Sequence, residues 1–123
     1  MQDFRELKVW QRAHQFTLTI YKTTQFFPKE ELYGLTSQIR RAGASIPANI
    51  AEGCGKHSAV DFAHYAQISM GSATELEYHL ILAHDLHYID DMQYTSLSSE
   101  LVEIRRMLYT FLKRLRTSAI ASS

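Results

Sequence analysis

The sequence predicts an all-α protein, an up-down-up-down four-helix bundle with a proline kink in helix two. Three observations carry that prediction. Apolar residues recur every three or four positions along four long stretches, which is one face of a helix turned toward a neighbour. Start and stop signals for helices leave only short joints between those stretches. No segment alternates apolar and polar residues as a half-buried strand does.

The first helix is expected over residues 4–26. Leu7, Trp10, Ala13, Thr17, Ile20 and Thr24 keep helical spacing, and Val9, Phe16 and Tyr21 widen the stripe. Asp3 with Glu6 three residues on makes a capping box. Pro28 ends the helix, because the residue before a proline is disfavoured in the α region. Phe26-Phe27-Pro28 is then a corner, and Glu30 and Glu31 complement the positive end of the next helix.

The second helix is expected to run to about Cys54, with Leu32, Leu35, Ile39, Ala42, Ile46, Ile50 and Gly53 along its seam. Pro47 interrupts that seam. It has no N–H for the carbonyl of Gly43, and its ring presses on the same carbonyl. A glycine at that position lets the backbone give, so a bent but continuous helix is expected. Gly53 and Gly55 bracket a C-terminus where a left-handed residue is wanted.

Ser58 and Asp61 form the box that opens helix three, which carries Phe62, Tyr65, Ser69, Ser72, Leu76, His79, Ala83 and Leu86 on its seam. Its small-sided middle, Ala66 to Ala73, is where the closest packing is expected. A glycine costs roughly 1 kcal/mol against alanine in an exposed helix, so Gly71 is expected to have a packing reason. The helix ends at His87-Tyr88. Asp90 and Gln93 open helix four, whose heptad is Leu97, Leu101, Ile104, Leu108, Phe111 and Leu115. Residues 1–117 read as one domain and 118–123 as a frayed tail.

Composition is that of a globular protein, 46% apolar and 21% charged. No apolar run approaches the roughly 20 residues needed to cross a bilayer, and the charged start is unlike a signal peptide. A lone cysteine, Cys54, fits a reducing cytoplasm. The net charge of zero hides an uneven distribution. Residues 57–104 hold acids and no Lys or Arg, whereas 105–116 hold five basic groups and no acid.

Sites for chemistry are incomplete throughout. Gly53-Cys54-Gly55-Lys56-His57-Ser58 misses the phosphate-loop pattern, because Ile50 stands at the first glycine and His57 where Ser or Thr must follow the lysine. Asp61/His64, Glu75/His79 and His84/His87 can each share a helix face, but a di-iron bundle needs two Glu-x-x-His helices and none occurs. Cys54 at a glycine-rich helix end reads as a buried thiol. No catalytic residue, metal or cofactor is expected. The basic groups Arg40, Arg41, Arg105, Arg106, Lys113, Arg114 and Arg116 allow two readings: a phosphate-binding patch, or a solvated helix face with a favourable dipole.

The run Arg40-Arg41-Ala42, Ser45-Ile46-Pro47, Asn49-Ile50-Ala51-Glu52-Gly53 resembles a known family, the four-helix-bundle proteins encoded by intervening sequences in bacterial 23S rRNA genes. Phe4, Leu7, Val9-Trp10, Phe27-Pro28, Tyr33-Gly34-Leu35, Gly71-Ser72 and Glu75-Leu76-Glu77 extend the likeness over nearly the whole chain. The chain departs from that pattern at Gly43, usually alanine, and at His87, usually glycine. The resemblance implies a closed homo-oligomer, a pentamer, with no catalytic residue. A related subgroup assists retroelement reverse transcriptases through a basic, nucleic-acid-binding surface. The expected function is therefore nucleic-acid or partner binding, with RNA or DNA bound through the basic groups. The alternative is a structural oligomer whose partner is a protein. From the residues alone, apolar side chains in excess of what one four-helix core needs, Val9, Tyr21, Tyr65 and Tyr78 among them, predict only that the protein is not a monomer.

Overall fold

The structure, a computed structural model, describes residues 3–122. It is a four-helix bundle of α1 (Lys8–Thr24), α2 (Leu35–Cys54), α3 (Ala59–Asp85) and α4 (Asp91–Ser122). The helix α2 packs on α1 and α3, and α4 packs on α3 and more loosely on α1. The pairs α1/α3 and α2/α4 are therefore diagonal. Ile20, Ile39, Ile46, Ile50, Leu76, Leu101, Ile104 and Leu108 fill the centre, each nearly inaccessible to water.

The first helix starts later than expected. Phe4–Glu6 is a separate 3₁₀ turn capped by Asp3, whose carboxylate accepts from the Arg5 N–H. Leu7 is extended at the joint, which buries its side chain and lets Phe4 meet Trp10 edge to face at 5.0 Å. At the other end, Lys29–Glu31 is a second 3₁₀ turn, and α2 proper begins only at Leu35. Leu32 is consequently exposed and outside the seam. Glu31 still serves the helix dipole, but from outside the helix: Oε1 accepts from the Leu35 N–H at 3.2 Å. Its other oxygen accepts from the Tyr88 hydroxyl at 2.8 Å, tying together the joints at this end of the bundle.

Pro47 is accommodated within a continuous α2. The carbonyl of Gly43, deprived of a helical donor, lies 3.0 Å from the Thr17 hydroxyl of α1. That hydroxyl is also 2.9 Å from the carbonyl of Ala13. It has one proton, and the Ala13 carbonyl already has the helical N–H of Thr17, so the proton belongs with Gly43. The flanking motif residues reach α3. Asn49 Nδ2 donates to Ser45 Oγ at 2.9 Å, and the hydroxyls of Ser45 and Ser72 share a hydrogen bond of 2.8 Å. Ser69 Oγ donates to the Ile46 carbonyl at 2.8 Å.

The glycines behave differently from expectation. Neither Gly53 nor Gly55 is left-handed. Gly53 is required instead by a close approach: a Cβ there would lie 2.6 Å from Phe62 Cδ1 and 2.9 Å from Tyr65 Cβ. Gly71 has no packing reason within the chain, because a Cβ there would meet nothing within 4 Å. The α3 seam runs through Ala66, Ser69, Ala73, Leu76, His79, Leu80 and Ala83, and Leu86 is exposed. Helix α4 continues to Ser122, past the end expected near Thr117. Ser123 lies outside the described residues.

His87 adopts φ 65°, the left-handed conformation that its position demands. Tyr88 N–H reaches the Ala83 carbonyl at 2.9 Å and His87 N–H the His84 carbonyl at 3.0 Å, the two bonds of a Schellman motif. A side chain at that φ is strained where glycine is not. The substitution His87→Gly is therefore expected to stabilise the fold by about 1 kcal/mol. Calorimetry should show a melting temperature several degrees higher; an unchanged or lower value would mean that the left-handed turn is not strained.

Candidate nucleic-acid interface

The seven basic residues do not form one patch within a protomer. Arg40 and Arg41 are on α2, and the other five are on the diagonal helix α4. Arg40 braces α1: its Nε donates to Thr24 Oγ1 at 2.8 Å and its guanidinium lies 4.8 Å from the centre of the Tyr21 ring. Arg41 is exposed and 4.0 Å from Glu75.

The charge segregation visible along the chain is largely undone by folding. Helix α3 lies between α2 and α4 and turns its acids toward both. Glu75 meets Arg41, and Glu77 meets Arg105 at 3.2 Å. Within α4, Glu103 pairs with Arg106 at 3.5 Å. These pairs are exposed or half-exposed and hold their partners weakly.

The C-terminal half of α4 keeps its positive character. Among the described residues, Lys113 and Arg114 have no acidic partner, and Arg116 donates to the neutral amide of Gln67 at 2.8 Å. Helical spacing sorts this stretch into two adjacent columns. Arg105, Tyr109 and Lys113 follow one another at four-residue steps, as do Arg106, Thr110 and Arg114. The second column borders a groove of about 620 Å³ against the start of α1, floored by Leu7, Val9, Met107 and Phe111. Lys8 adds a further cation to its rim, and Glu6 and Glu103 add acids. Lys8 and Tyr109 were not among the residues that sequence spacing singled out, although Tyr109 sits four residues from both Arg105 and Lys113.

The bidentate pair Arg12–Glu100 fastens α1 to α4, Nε to Oε1 at 2.8 Å and a second nitrogen to Oε2 at 3.0 Å. The Glu100 carboxylate raises the Arg12 pKa further, so the guanidinium stays charged.

Groups that would hold a metal or act as a nucleophile are dispersed. His79 Nε2 is 3.0 Å from Glu75, and His84 Nε2 is 2.7 Å from Asp91. Among the described residues, no three His, Cys, Asp or Glu side chains converge. Cys54 is buried, and burial pushes its thiol above the ordinary value. No described helix is long and apolar enough to cross a membrane.

Fold and surface together define a small helical-bundle protein whose charged groups lie along exposed helix faces. The family model for 23S rRNA-intervening sequence proteins matches residues 5–110. The chain belongs to that family. A crystal structure of a protein of unknown function from the S23 ribosomal protein family of Bacteroides thetaiotaomicron VPI-5482 is similar, with a TM-score of 0.80 and 32% identity. The match covers 85% of this chain and 95% of the other. No curated protein matches.

Proposed function

We propose that this protein is a non-enzymatic, cytoplasmic homo-oligomer, five-fold as its family resemblance implies, that binds RNA or DNA through the basic face of α4. One observation carries the reading: residues 105–116 hold five cations and no acid, and Lys113 and Arg114 project with no acidic partner among the described residues. Such a face engages phosphates without reading bases. Oligomerisation would repeat it around one axis and multiply the contacts.

An outward stripe on α3 supports the oligomer. Ile68, Tyr78 and Ile81 are exposed there, and Gly71 between them leaves open space for a close neighbour. Two of the residues expected to mark an interface have roles inside the chain instead. Val9 is buried, and Tyr65 is half-buried beneath Lys56.

The test is a binding titration against unrelated RNA and DNA sequences over a range of salt. Wild type is expected to bind all of them and to weaken steeply as salt rises. Replacing Lys113 and Arg114 with alanine should weaken binding about equally for every sequence and lower the log–log salt slope by roughly 2. If wild type binds no nucleic acid at low salt, the alternative of a structural oligomer whose partner is a protein stands. The acids placed against Arg41, Arg105 and Arg106 favour that alternative.

A further inference from the structure

Tyr109 is set apart from nearly every other tyrosine in the chain. The Tyr21 ring lies under Arg40 and the Tyr65 ring under Lys56. Tyr78, Tyr88 and Tyr94 pack on His79, Phe27 and His84. Among the described tyrosines, only Tyr33 and Tyr109 have rings without an aromatic or cationic partner. Tyr33 stands at a joint beside Glu30 and Glu31. Tyr109, 55% exposed, stands in the middle of the basic stretch.

Its surroundings are those of a platform. Arg105 and Arg106 border one side of a shallow surface depression that Tyr109 shares with Met70 and Thr110. Lys113 follows one turn further along the same column. Met70 in that lining is half-buried against the core. A large, uncovered aromatic surface is costly to leave in water, and the cations around it attract an anionic occupant. A duplex would use the cations but not the ring, because its bases are stacked on one another. An unstacked base can use both.

We propose that the α4 face takes single-stranded nucleic acid, with one base stacked on Tyr109 and the flanking phosphates on Arg105, Arg106 and Lys113. This rests on the nucleic-acid reading above and narrows it to a substrate class. Tyrosine and arginine also mark protein interfaces, and Glu77 and Glu103 lie against Arg105 and Arg106. These exposed or half-exposed pairs are weak, however, and Lys113 and Arg114 have no acidic partner among the described residues. The net charge beside Tyr109 therefore favours a polyanion.

The experiment compares a labelled adenine-rich RNA strand of about 12 nucleotides, within the ~4–16 that such surfaces cover, with its duplex. Both are titrated at low salt with wild type, Tyr109→Ala, Tyr109→Phe and Lys113→Ala/Arg114→Ala. Wild type is expected to prefer the single strand. Tyr109→Ala should weaken single-strand binding by roughly 5- to 100-fold with the salt slope unchanged, whereas Tyr109→Phe keeps the ring and the affinity. Duplex binding should respond to the lysine and arginine changes and not to Tyr109→Ala. Equal strand and duplex binding, or a Tyr109→Ala protein as tight as wild type on the single strand, overturns the stacking inference and leaves phosphate binding standing. No binding of either probe overturns both.

Discussion

Replacing Thr17 with valine is expected to destabilise the fold by about 1–3 kcal/mol, the usual cost of a buried polar group left without a partner. Valine nearly matches threonine in shape, so packing against Gly43 survives and the hydroxyl alone is lost. Thr17 is buried, so water cannot readily replace it. The Gly43 carbonyl then has neither the N–H that Pro47 lacks nor the hydroxyl that compensates for it. A thermal melt should show a drop of several degrees for a domain of this size. Thr17→Ser keeps the donor and should lose less. The decisive comparison is a double-mutant cycle with Pro47→Ala, which restores the backbone donor to α2. Thr17→Val should then cost much less in the Pro47→Ala background than in wild type. If the two costs are equal, the hydroxyl serves Ala13 or nothing, and the proline is accommodated some other way.

This bond shows what sequence reading reaches and where it stops. Periodicity located all four helices, and Pro47 with Gly43 marked the stressed carbonyl, because each is a local property of the chain. Which residue relieves that carbonyl is not local. Thr17 is 26 positions away and reads only as one member of an apolar stripe. The seam of α4 was legible from Leu97 to Leu108, but toward the C-terminus Leu112 is buried while Phe111 and Leu115, expected there, are half-buried. The seam of α3 was displaced toward Ala66, Ala73 and Leu80, because small side chains carry little periodic signal. The candidate interface was less legible still. Charge runs along a sequence say which segments are acidic or basic, but pairing depends on which helices become neighbours. The position of α3 between the two arginine-bearing helices brings Glu75 and Glu77 to Arg41 and Arg105. Much of the family signature also turns out to be architecture. Ser45 bonds to Ser72 of α3, Gly53 admits Phe62 and Tyr65 of α3, Asn49 holds Ser45 from within α2, and Pro47 leaves the Gly43 carbonyl to Thr17 of α1. Glu52, exposed and 4.0 Å from Lys56, stands outside that network.

Gly53→Ala and Gly43→Ala, the same change on the same helix, are expected to move stability in opposite directions. At Gly53 the new methyl would lie inside the contact distance of Phe62 and of Tyr65 Cβ, an atom fixed to the α3 backbone. Phe62 is itself held edge to face against Phe111 at 5.1 Å. Relief must come from moving the α2 and α3 termini apart, and overpacking of this kind typically costs about 1–3 kcal/mol. At Gly43 the nearest atoms would be Ile20 Cγ2 at 3.7 Å and Leu76 Cδ2 at 3.9 Å, which is ordinary contact. Alanine there fills space without strain and removes glycine's extra freedom from the unfolded chain, a gain of roughly 1 kcal/mol. Urea unfolding of the two variants should bracket wild type, with the midpoint of Gly53→Ala below it and that of Gly43→Ala above. A destabilised Gly43→Ala protein would show that the carbonyl bonded to Thr17 needs backbone freedom that alanine removes. A Gly53→Ala protein as stable as wild type would show that α2 and α3 can separate at their joint without loss, and that the glycine is not required by the approach of Tyr65.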